Sequence, residues 1–200
     1  MGTLLSYLAE HFDLPILDFI ADTLRCAFLD AVMPVITLFG EAGIFWILCA
    51  VLLLFFPKYR KVGLGMGAAL LIGLIVCNIT MKPLVARPRP YAYQLAHFGR
   101  EIEILISKPS DFSFPSGHTL ASFEAATVLM LRERKFGIPA MILAILVAFS
   151  RLYLYVHYPT DVLFALLMGV GIGFLGDFLV RRIWSAVEER RKAKKEPAGE

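Results

Sequence analysis

The chain alternates long apolar runs with short charged connections. Stretches free of Asp, Glu, Lys and Arg cover 42–57, 62–81, 136–150 and 162–176, and 117–131 contains Glu124 as its single acid. A helix that crosses a bilayer needs about 20 mainly apolar residues, and each run reaches that length once its polar flanks are included. The pattern predicts five crossings, near 41–57, 62–82, 117–133, 136–156 and 160–182.

The first forty residues have a different pattern, because acids interrupt the apolar positions of 4–20. These acids are Glu10, Asp13, Asp18 and Asp22. This amphipathic pattern favours one or more helices that lie in the membrane interface. No basic segment precedes an apolar core, so a cleaved signal peptide is not expected. Pro34 and Gly40 interrupt the stretch before the first crossing, and a short re-entrant helix over 30–39 is the alternative.

Composition agrees with an integral membrane protein. Hydrophobic residues make up 58% of the chain and charged residues 18%, against roughly a quarter charged in soluble domains, and the mean hydropathy is +0.69. A disordered chain would be polar, and a nucleic-acid-binding protein would carry its basic residues on a polar surface. Both classes are therefore excluded. The predicted fold is an all-α, polytopic transmembrane helix bundle with N-terminal interfacial helices.

The distribution of Lys and Arg predicts the orientation, because short basic connections stay on the cytoplasmic side. Basic residues cluster in 58–61, in 132–135 and after Arg181, and with five crossings these clusters share one face. Residues 1–41 contain six acids and Arg25 as their single base, so they belong to the opposite, extracytoplasmic face. The expected location is a plasma membrane of the bacterial inner-membrane type.

Polar residues of unusual kinds collect at the extracytoplasmic ends of the crossings. They are Lys82, Arg89, Ser116, Gly117, His118, Arg151, His157 and Asp161. Taken singly, the first two could anchor a helix end at the headgroups, and Ser116 with Gly117 could only cap a helix. Arg151 is harder to explain in this way. It lies in an apolar run, where a charge costs at least about 2.5–3.5 kcal/mol, so it needs a partner.

Together these residues predict an anion site. Three cations and a helix N-terminus favour negative charge, and the planar fork of arginine matches tetrahedral oxyanions, so phosphate is the natural ligand. Each histidine could be a satisfied core residue. However, Asp161 follows His157 by four residues, and a carboxylate on one ring nitrogen leaves the other free as a nucleophile.

Three spaced motifs carry a resemblance to a known family. They read Lys82-x6-Arg89-Pro90, Pro115-Ser116-Gly117-His118 and Ser150-Arg151-x5-His157-x3-Asp161. This arrangement resembles the three-part motif of the type 2 phosphatidic acid phosphatase family, which is related to the vanadium haloperoxidases and bacterial acid phosphatases. All eleven specified positions match in order, over 82–161.

The resemblance implies a mechanism. His157 would attack phosphorus to give a phosphohistidine, and Asp161 would orient its ring. His118 would protonate the leaving lipid oxygen and then activate the water that hydrolyses the intermediate. The residues that would hold the phosphate oxygens are Lys82, Arg89, Arg151, Ser116 and Gly117.

This scheme needs no metal and no other cofactor. Glu101, Glu103 and Asp111 are the acids of the long connection 83–116, and they form no recognisable ligand set. The expected partners are the bilayer and a lipid phosphate, with no nucleic acid and with the oligomeric state open. The predicted divisions are interfacial helices in 1–40, a transmembrane catalytic domain in 41–182 and a basic cytoplasmic tail in 183–200.

The predicted function is hydrolysis of a lipid phosphomonoester or diphosphate. Phosphatidate, phosphatidylglycerol phosphate and undecaprenyl diphosphate are the candidate substrates. A lipid phosphotransferase that uses the same site is the alternative within enzymes. A non-catalytic anion-binding or transport protein is the alternative from another class, and it is disfavoured because no pair of broken helices is evident.

Overall fold

The computed structural model describes residues 3–193, and its regular secondary structure over these residues is entirely helical. The all-α prediction is therefore confirmed. Segments of π or 3-10 geometry occupy Ala9–Asp13, Glu41–Gly43 and Leu74–Met81. The α-helices are α1 (Thr3–Leu8), α2 (Leu14–Thr23), α3 (Ala27–Leu38), α4 (Ile44–Leu54), α5 (Arg60–Gly73), α6 (Lys82–Val85), α7 (Pro90–Phe98), α8 (Gly117–Arg132), α9 (Arg134–Tyr153) and α10 (Pro159–Ala193).

Within the described residues, four helical stretches are long and apolar enough to cross a membrane. They are Ala27–Leu54, Arg60–Phe98, Arg134–Tyr153 and Pro159–Lys192. The remaining predicted crossing corresponds to α8, which has 16 residues and would span about 24 Å at 1.5 Å per residue. It is shorter than the others and lies at the centre of the bundle, where α5, α9 and α10 surround it.

The first long stretch begins earlier than predicted. α3 and α4 together form Ala27–Leu54, whereas the sequence pattern places the crossing at 41–57. Pro34 lies inside α3 and does not interrupt it, because α3 packs against α9 along its length. The interruption lies at Ala42 and Gly43 instead, where the backbone has φ values of 47° and 67°.

The N-terminal helices cover the end of the bundle at which α10 begins. Their inner face includes Ala9, Leu14 and Leu17, which pack against Tyr155 and Tyr158. Their outer face exposes large apolar side chains. The placement of these helices in the membrane interface stays a prediction.

The three basic clusters meet at the other end of the bundle. Lys61 pairs with Glu188 at 3.5 Å, and Arg132 forms an ion pair with Asp177 of α10. The tail predicted from residue 183 continues α10 as helix to Ala193, and residues 194–200 lie outside the described residues.

Glycines let α10 approach its neighbours closely. A Cβ atom added at Gly173 would lie 2.7 Å from the Cβ of Thr127 and 2.8 Å from the carbonyl oxygen of Glu124, both on α8. One added at Gly176 would lie 2.8 Å from the backbone nitrogen of Ala69 on α5. Small residues at such contacts are typical of helices that associate within membranes, because backbone packing replaces the hydrophobic driving force.

This packing predicts different effects for two alanine substitutions on one helix. Gly173→Ala should lower the free energy of unfolding by about 1–3 kcal/mol, the usual cost of overpacking. Gly171→Ala is the matched control, because no atom lies within 4 Å of an added Cβ there. Alanine should leave stability unchanged or raise it by up to about 1 kcal/mol at that position. Thermal unfolding of both variants in detergent checks this, and equal midpoints would contradict it.

Candidate active site

Two basic side chains of the first motif form a clamp, which we define as Lys82 and Arg89. The helix that carries Lys82 ends at Ala86, whose φ of 48° turns the chain, and Arg89 then stands extended just before α7. Arg89 is buried, and its guanidinium donates from NH1 to the carbonyl oxygen of Val156 at 2.8 Å. The clamp is therefore anchored to the turn that precedes α10.

His157 lies beside the clamp, in the turn between α9 and α10, and is almost fully buried. Its Nε2 is 3.2 Å from NH1 of Arg89. Arginine can only donate, so Nε2 is the acceptor and the ring proton resides on Nδ1. Burial, and then the positive charges of Arg89 and Arg151, hold the pKa of His157 well below its usual value. The ring is therefore neutral at neutral pH, with a lone pair on Nε2.

Asp161, which follows His157 by four residues in the third motif, faces the other side of the His157 ring. Its Oδ2 is 3.6 Å from Nδ1 of His157, which is an ion-pair distance and too long for a hydrogen bond. The same oxygen accepts from the backbone nitrogen of Tyr158 at 3.0 Å and from the Ser113 hydroxyl. Asp161 is therefore held in place by groups other than the histidine that it faces.

The opposite oxygen of Asp161 binds Arg87, a buried residue for which the motifs specify no role. NH1 of Arg87 donates to Oδ1 of Asp161 at 2.5 Å, and NH2 donates to Oδ2 of Asp13 at 2.7 Å. The guanidinium also stacks on the Tyr158 ring at 3.7 Å. A buried arginine thus joins a residue of the N-terminal segment to the carboxylate that faces His157.

His118 is the second residue of α8 and faces the same space. Its Nε2 lies 3.2 Å from Oε2 of Glu41, which belongs to the break between α3 and α4. A Cβ added at Gly40 would lie 2.9 Å from the His118 ring. The break in the first long stretch therefore provides both a carboxylate partner and the space for this imidazole.

Arg151 is buried within α9 near its C-terminal end. Its NH1 donates to the Thr37 hydroxyl of α3 at 2.6 Å. The sequence predicts a partner for this buried charge, and the neutral hydroxyl of Thr37 is one such partner. Its Nε has no hydrogen-bond partner among the described residues. The side chain lines the cavity that Lys82 and His157 also line, where a bound anion would complete its hydrogen bonding.

Ser116 and Gly117 occupy different positions in this geometry. The Ser116 hydroxyl is completely buried and serves as the N-cap of α8, since it accepts from the backbone nitrogen of Thr119 at 3.5 Å and contacts the Thr119 hydroxyl at 2.9 Å. Gly117 lines the cavity directly. The helix N-terminus therefore faces the site, as the sequence predicts, with the serine as its cap.

A cavity of about 1390 Å³ begins at these residues and continues along the bundle. Its polar end is lined by Lys82, Arg89, His118, Arg151 and His157. Apolar residues of α4 and α5 line the remainder, which reaches Trp184 near the basic end. Glu124 also lines this cavity, with its buried carboxylate against Gly73. The space suits a molecule with a charged head and a long apolar chain.

Several residues of the site could not be assigned from the sequence. Asp13 and Glu41 come from segments without a motif, and Asp111 lies in the long connection with no distinctive neighbours. Arg87 carries a signal, because an arginine directly before a proline, two positions from Arg89, is unusual at the end of a crossing helix. Spacing alone does not reveal that these four residues balance the charges of the motifs.

Comparison with known proteins agrees with this geometry. Residues 61–184 match the PAP2 superfamily. Undecaprenyl-diphosphatase of Sulfolobus acidocaldarius is 34% identical over 152 residues, which cover 76% of this chain and 70% of that protein. Undecaprenyl-diphosphatase BcrC of Bacillus subtilis is 34% identical over 147 residues, which cover 74% of this chain and 72% of that protein.

A solved structure supports the same assignment. The transmembrane PAP2-type phosphatidylglycerolphosphate phosphatase of Bacillus subtilis superposes with a TM-score of 0.65 at 25% identity, covering 91% of this chain and 89% of that one. The motif residues, the helical architecture and these relatives all lead to one assignment. The chain belongs to the PAP2 superfamily, as a multi-pass membrane phosphatase.

Proposed function

We propose that this membrane phosphatase hydrolyses a polyprenyl diphosphate, of which undecaprenyl diphosphate is the leading example, and releases inorganic phosphate. One observation carries the proposal: the cations and two histidines of the motifs surround the polar end of a cavity whose remainder is lined mainly by apolar residues of α4 and α5. The substrates that name the relatives in Sulfolobus acidocaldarius and Bacillus subtilis support the diphosphate.

The terminal phosphate would bind with its oxygens toward Lys82, Arg89 and Arg151, near the N-terminus of α8. Phosphoryl transfer needs mainly positioning and neutralisation of charge on the equatorial oxygens. Preorganised donors in a site that excludes water are effective in this role, and each is worth about 10²–10³ in rate in other enzymes. The Gly117 amide would add a donor, and Ser116 would act by capping α8.

His157 would attack the phosphorus with Nε2, the nitrogen that carries the lone pair. The bond between phosphorus and the bridging oxygen breaks, and a phosphohistidine forms. The Nδ1 proton faces Asp161, whose charge would stabilise the cationic ring. Arg89 would release Nε2 of His157 and would bind the phosphate oxygens through NH2, which binds the Asp111 carboxylate in the structure.

His118 would supply the proton for the leaving oxygen of the polyprenyl phosphate. It would then take a proton from the water that attacks the phosphohistidine, releasing phosphate and restoring both histidines. Glu41 is placed to accept the Nε2 hydrogen of a protonated His118. The lipid would keep its chain in the apolar part of the cavity throughout.

The same proposal includes the orientation in the membrane. The basic clusters around Lys61 and Arg132 lie at the end of the bundle away from His157, and the positive-inside rule assigns that end to the cytoplasm. The active site would then open at the extracytoplasmic face of a bacterial-type plasma membrane, with the C-terminus in the cytoplasm and the N-terminal helices in the interface.

The nucleophile can be tested with one substitution. His157→Ala should reduce phosphate release from undecaprenyl diphosphate by at least about 10³-fold, because removal of a nucleophile eliminates the chemical step. Wild type should release phosphate from the diphosphate faster than from phosphatidate or phosphatidylglycerol phosphate in the same detergent. His11→Ala is the control, since His11 is exposed and its one side-chain hydrogen bond among the described residues is to the Tyr7 carbonyl oxygen.

Two outcomes would contradict this prediction. One is an unchanged rate in His157→Ala. The other is label from a radioactive terminal phosphate that appears on a lipid or sugar acceptor and not in free phosphate, which would establish a transferase.

Chelation should leave the activity unchanged. The positive charge that Mg²⁺ supplies in other phosphoryl-transfer enzymes would come here from Lys82, Arg89 and Arg151. Among residues 3–193, no three His, Cys, Asp or Glu side chains are grouped to hold a metal ion. We expect full phosphate release in excess EDTA. Loss of activity that Mg²⁺ restores would refute this expectation.

The pH profile of kcat/KM should have its acidic limb below pH 6.5, the ordinary pKa of histidine. Burial and the charges of Arg89 and Arg151 lower the pKa of His157, so the reactive neutral ring persists as the pH falls and is lost only below that lowered pKa. An alkaline limb should follow in the profile of kcat, which reports the complex, because the bound phosphate would hold the proton on His118 until the pH rises. A flat profile between about pH 5 and 9 would contradict the pair of roles.

A further inference from the structure

Asp111 occupies the clamp. Its carboxylate contacts Nζ of Lys82 through Oδ2 and NH2 of Arg89 through Oδ1 at 2.5 Å. Both oxygens of one carboxylate thus bind the two cations of the first motif. Burial on its own would raise the pKa of Asp111, but the hydrogen bond from Lys82 and the charge of Arg89 outweigh it and hold this pKa well below its usual value. Asp111 is therefore an anion whenever the enzyme works.

We propose that Asp111 is an intramolecular competitor of phosphate, and that its displacement from Lys82 and Arg89 determines the affinity of the site for substrate and product. The inference rests on the proposed function, because it concerns the same phosphate position. A carboxylate and a phosphate offer the same kind of oxygen to the same donors, so the two cannot occupy the clamp at once.

The carboxylate is the partner that can leave. The Asp111 side chain is 51% exposed, whereas those of Lys82 and Arg89 are 12% and 4% exposed. Arg89 is also held by Val156 on one side and donates from Nε to the backbone carbonyl oxygen of Asp111 at 2.9 Å. Rotation of the Asp111 side chain can therefore free the clamp while its backbone contact keeps Arg89 oriented.

The Asp111 carboxylate compensates positive charge in the site when no phosphate is bound. In the empty site, the clamp lies close to Arg151 and two histidines in poorly hydrated surroundings, and Asp111 compensates part of that positive charge. A strong cation cluster without a competitor would also hold inorganic phosphate after the reaction. Return of Asp111 to the clamp would replace the bonds that the departing phosphate loses. Asp111 should therefore raise KM and weaken product inhibition by phosphate together, while kcat is maintained or increased.

The test compares Asp111→Asn with wild type. An amide is a neutral and weaker acceptor for Lys and Arg, so the variant should bind orthophosphate about tenfold more tightly in calorimetry, which corresponds to about 1.4 kcal/mol. KM for the lipid diphosphate and the inhibition constant of orthophosphate should fall by a similar factor, with kcat unchanged or lower. Asp111→Glu, which keeps the charge, should remain closer to wild type.

Glu101→Gln is the matched control, because it removes one acid from the same connection between α7 and α8. The Glu101 side chain is 80% exposed, and the cation nearest to it is Lys108 at 4.0 Å. The orthophosphate affinity of Glu101→Gln should stay within about twofold of wild type, since an exposed charge outside the site is screened. Asp111→Ser provides a second neutral variant should the asparagine protein fail to fold.

The outcomes separate this inference from the proposed function. Suppose that wild type hydrolyses the lipid but the neutral Asp111 variants bind phosphate with unchanged or weaker affinity. The competitor role of Asp111 is then overturned, and the proposed function stands. Wild type that neither binds orthophosphate nor releases it from any lipid overturns both. If Glu101→Gln bound phosphate as much more tightly as Asp111→Asn does, the effect would come from net charge alone. That result would also overturn the proposal that Asp111 competes with phosphate.

Discussion

The buried guanidinium of Arg87 is the interaction on which the rest of the site depends. It binds Asp13 from the N-terminal segment and Asp161 from α10, and Asp13 in turn accepts from the backbone nitrogen of Thr160 at 2.9 Å. A carboxylate from another helix thereby satisfies a free N–H at the start of α10. Loss of one partner from such a buried network typically costs about 3–5 kcal/mol. The network determines where α10 begins, and so where His157 and Asp161 lie.

A charged site inside a membrane protein also needs neutralisation that the motifs do not provide. Three of the balancing carboxylates, those of Asp13, Glu41 and Asp111, come from segments outside the motif positions. They approach the motif residues from the N-terminal segment, from the break before α4 and from the long connection. These three segments therefore form part of the candidate site, and without them Arg87, Arg89 and His118 would lack their carboxylate partners.

Away from the charged end, small residues determine the shape of the bundle. Gly173 and Gly176 bring α10 against α8 and α5, while apolar residues of α4 and α5 line the cavity. This combination of close packing on one side and open groove on the other lets a phosphatase hold a lipid phosphate without removing its chain from apolar surroundings.

The helical class, the approximate crossings and the residues of the three motifs were predictable, because each depends on local pattern. Apolar runs of sufficient length indicate helices that lie in lipid. The motif spacing can be read directly along the chain, for Lys82, Arg89, His118, Arg151 and His157. The start of the first long stretch was predicted wrongly, since Pro34 was taken as an interruption and packing against α9 tolerates it. The hydroxyl of Ser116 caps α8 in the structure, and its expected contact with phosphate stays a prediction.

Sequence alone thus established a helical membrane protein and predicted a phosphate site at one end of it, because hydrophobic length and motif spacing are local properties of the chain. Only the tertiary structure decided which groups compensate the charges of that site. Asp111 lies 22 residues from Arg89, and Asp13 lies 74 residues from Arg87. Contacts between such distant residues arise from helix packing and chain reversal, so no local pattern records them. Coulombic compensation depends on distance in space.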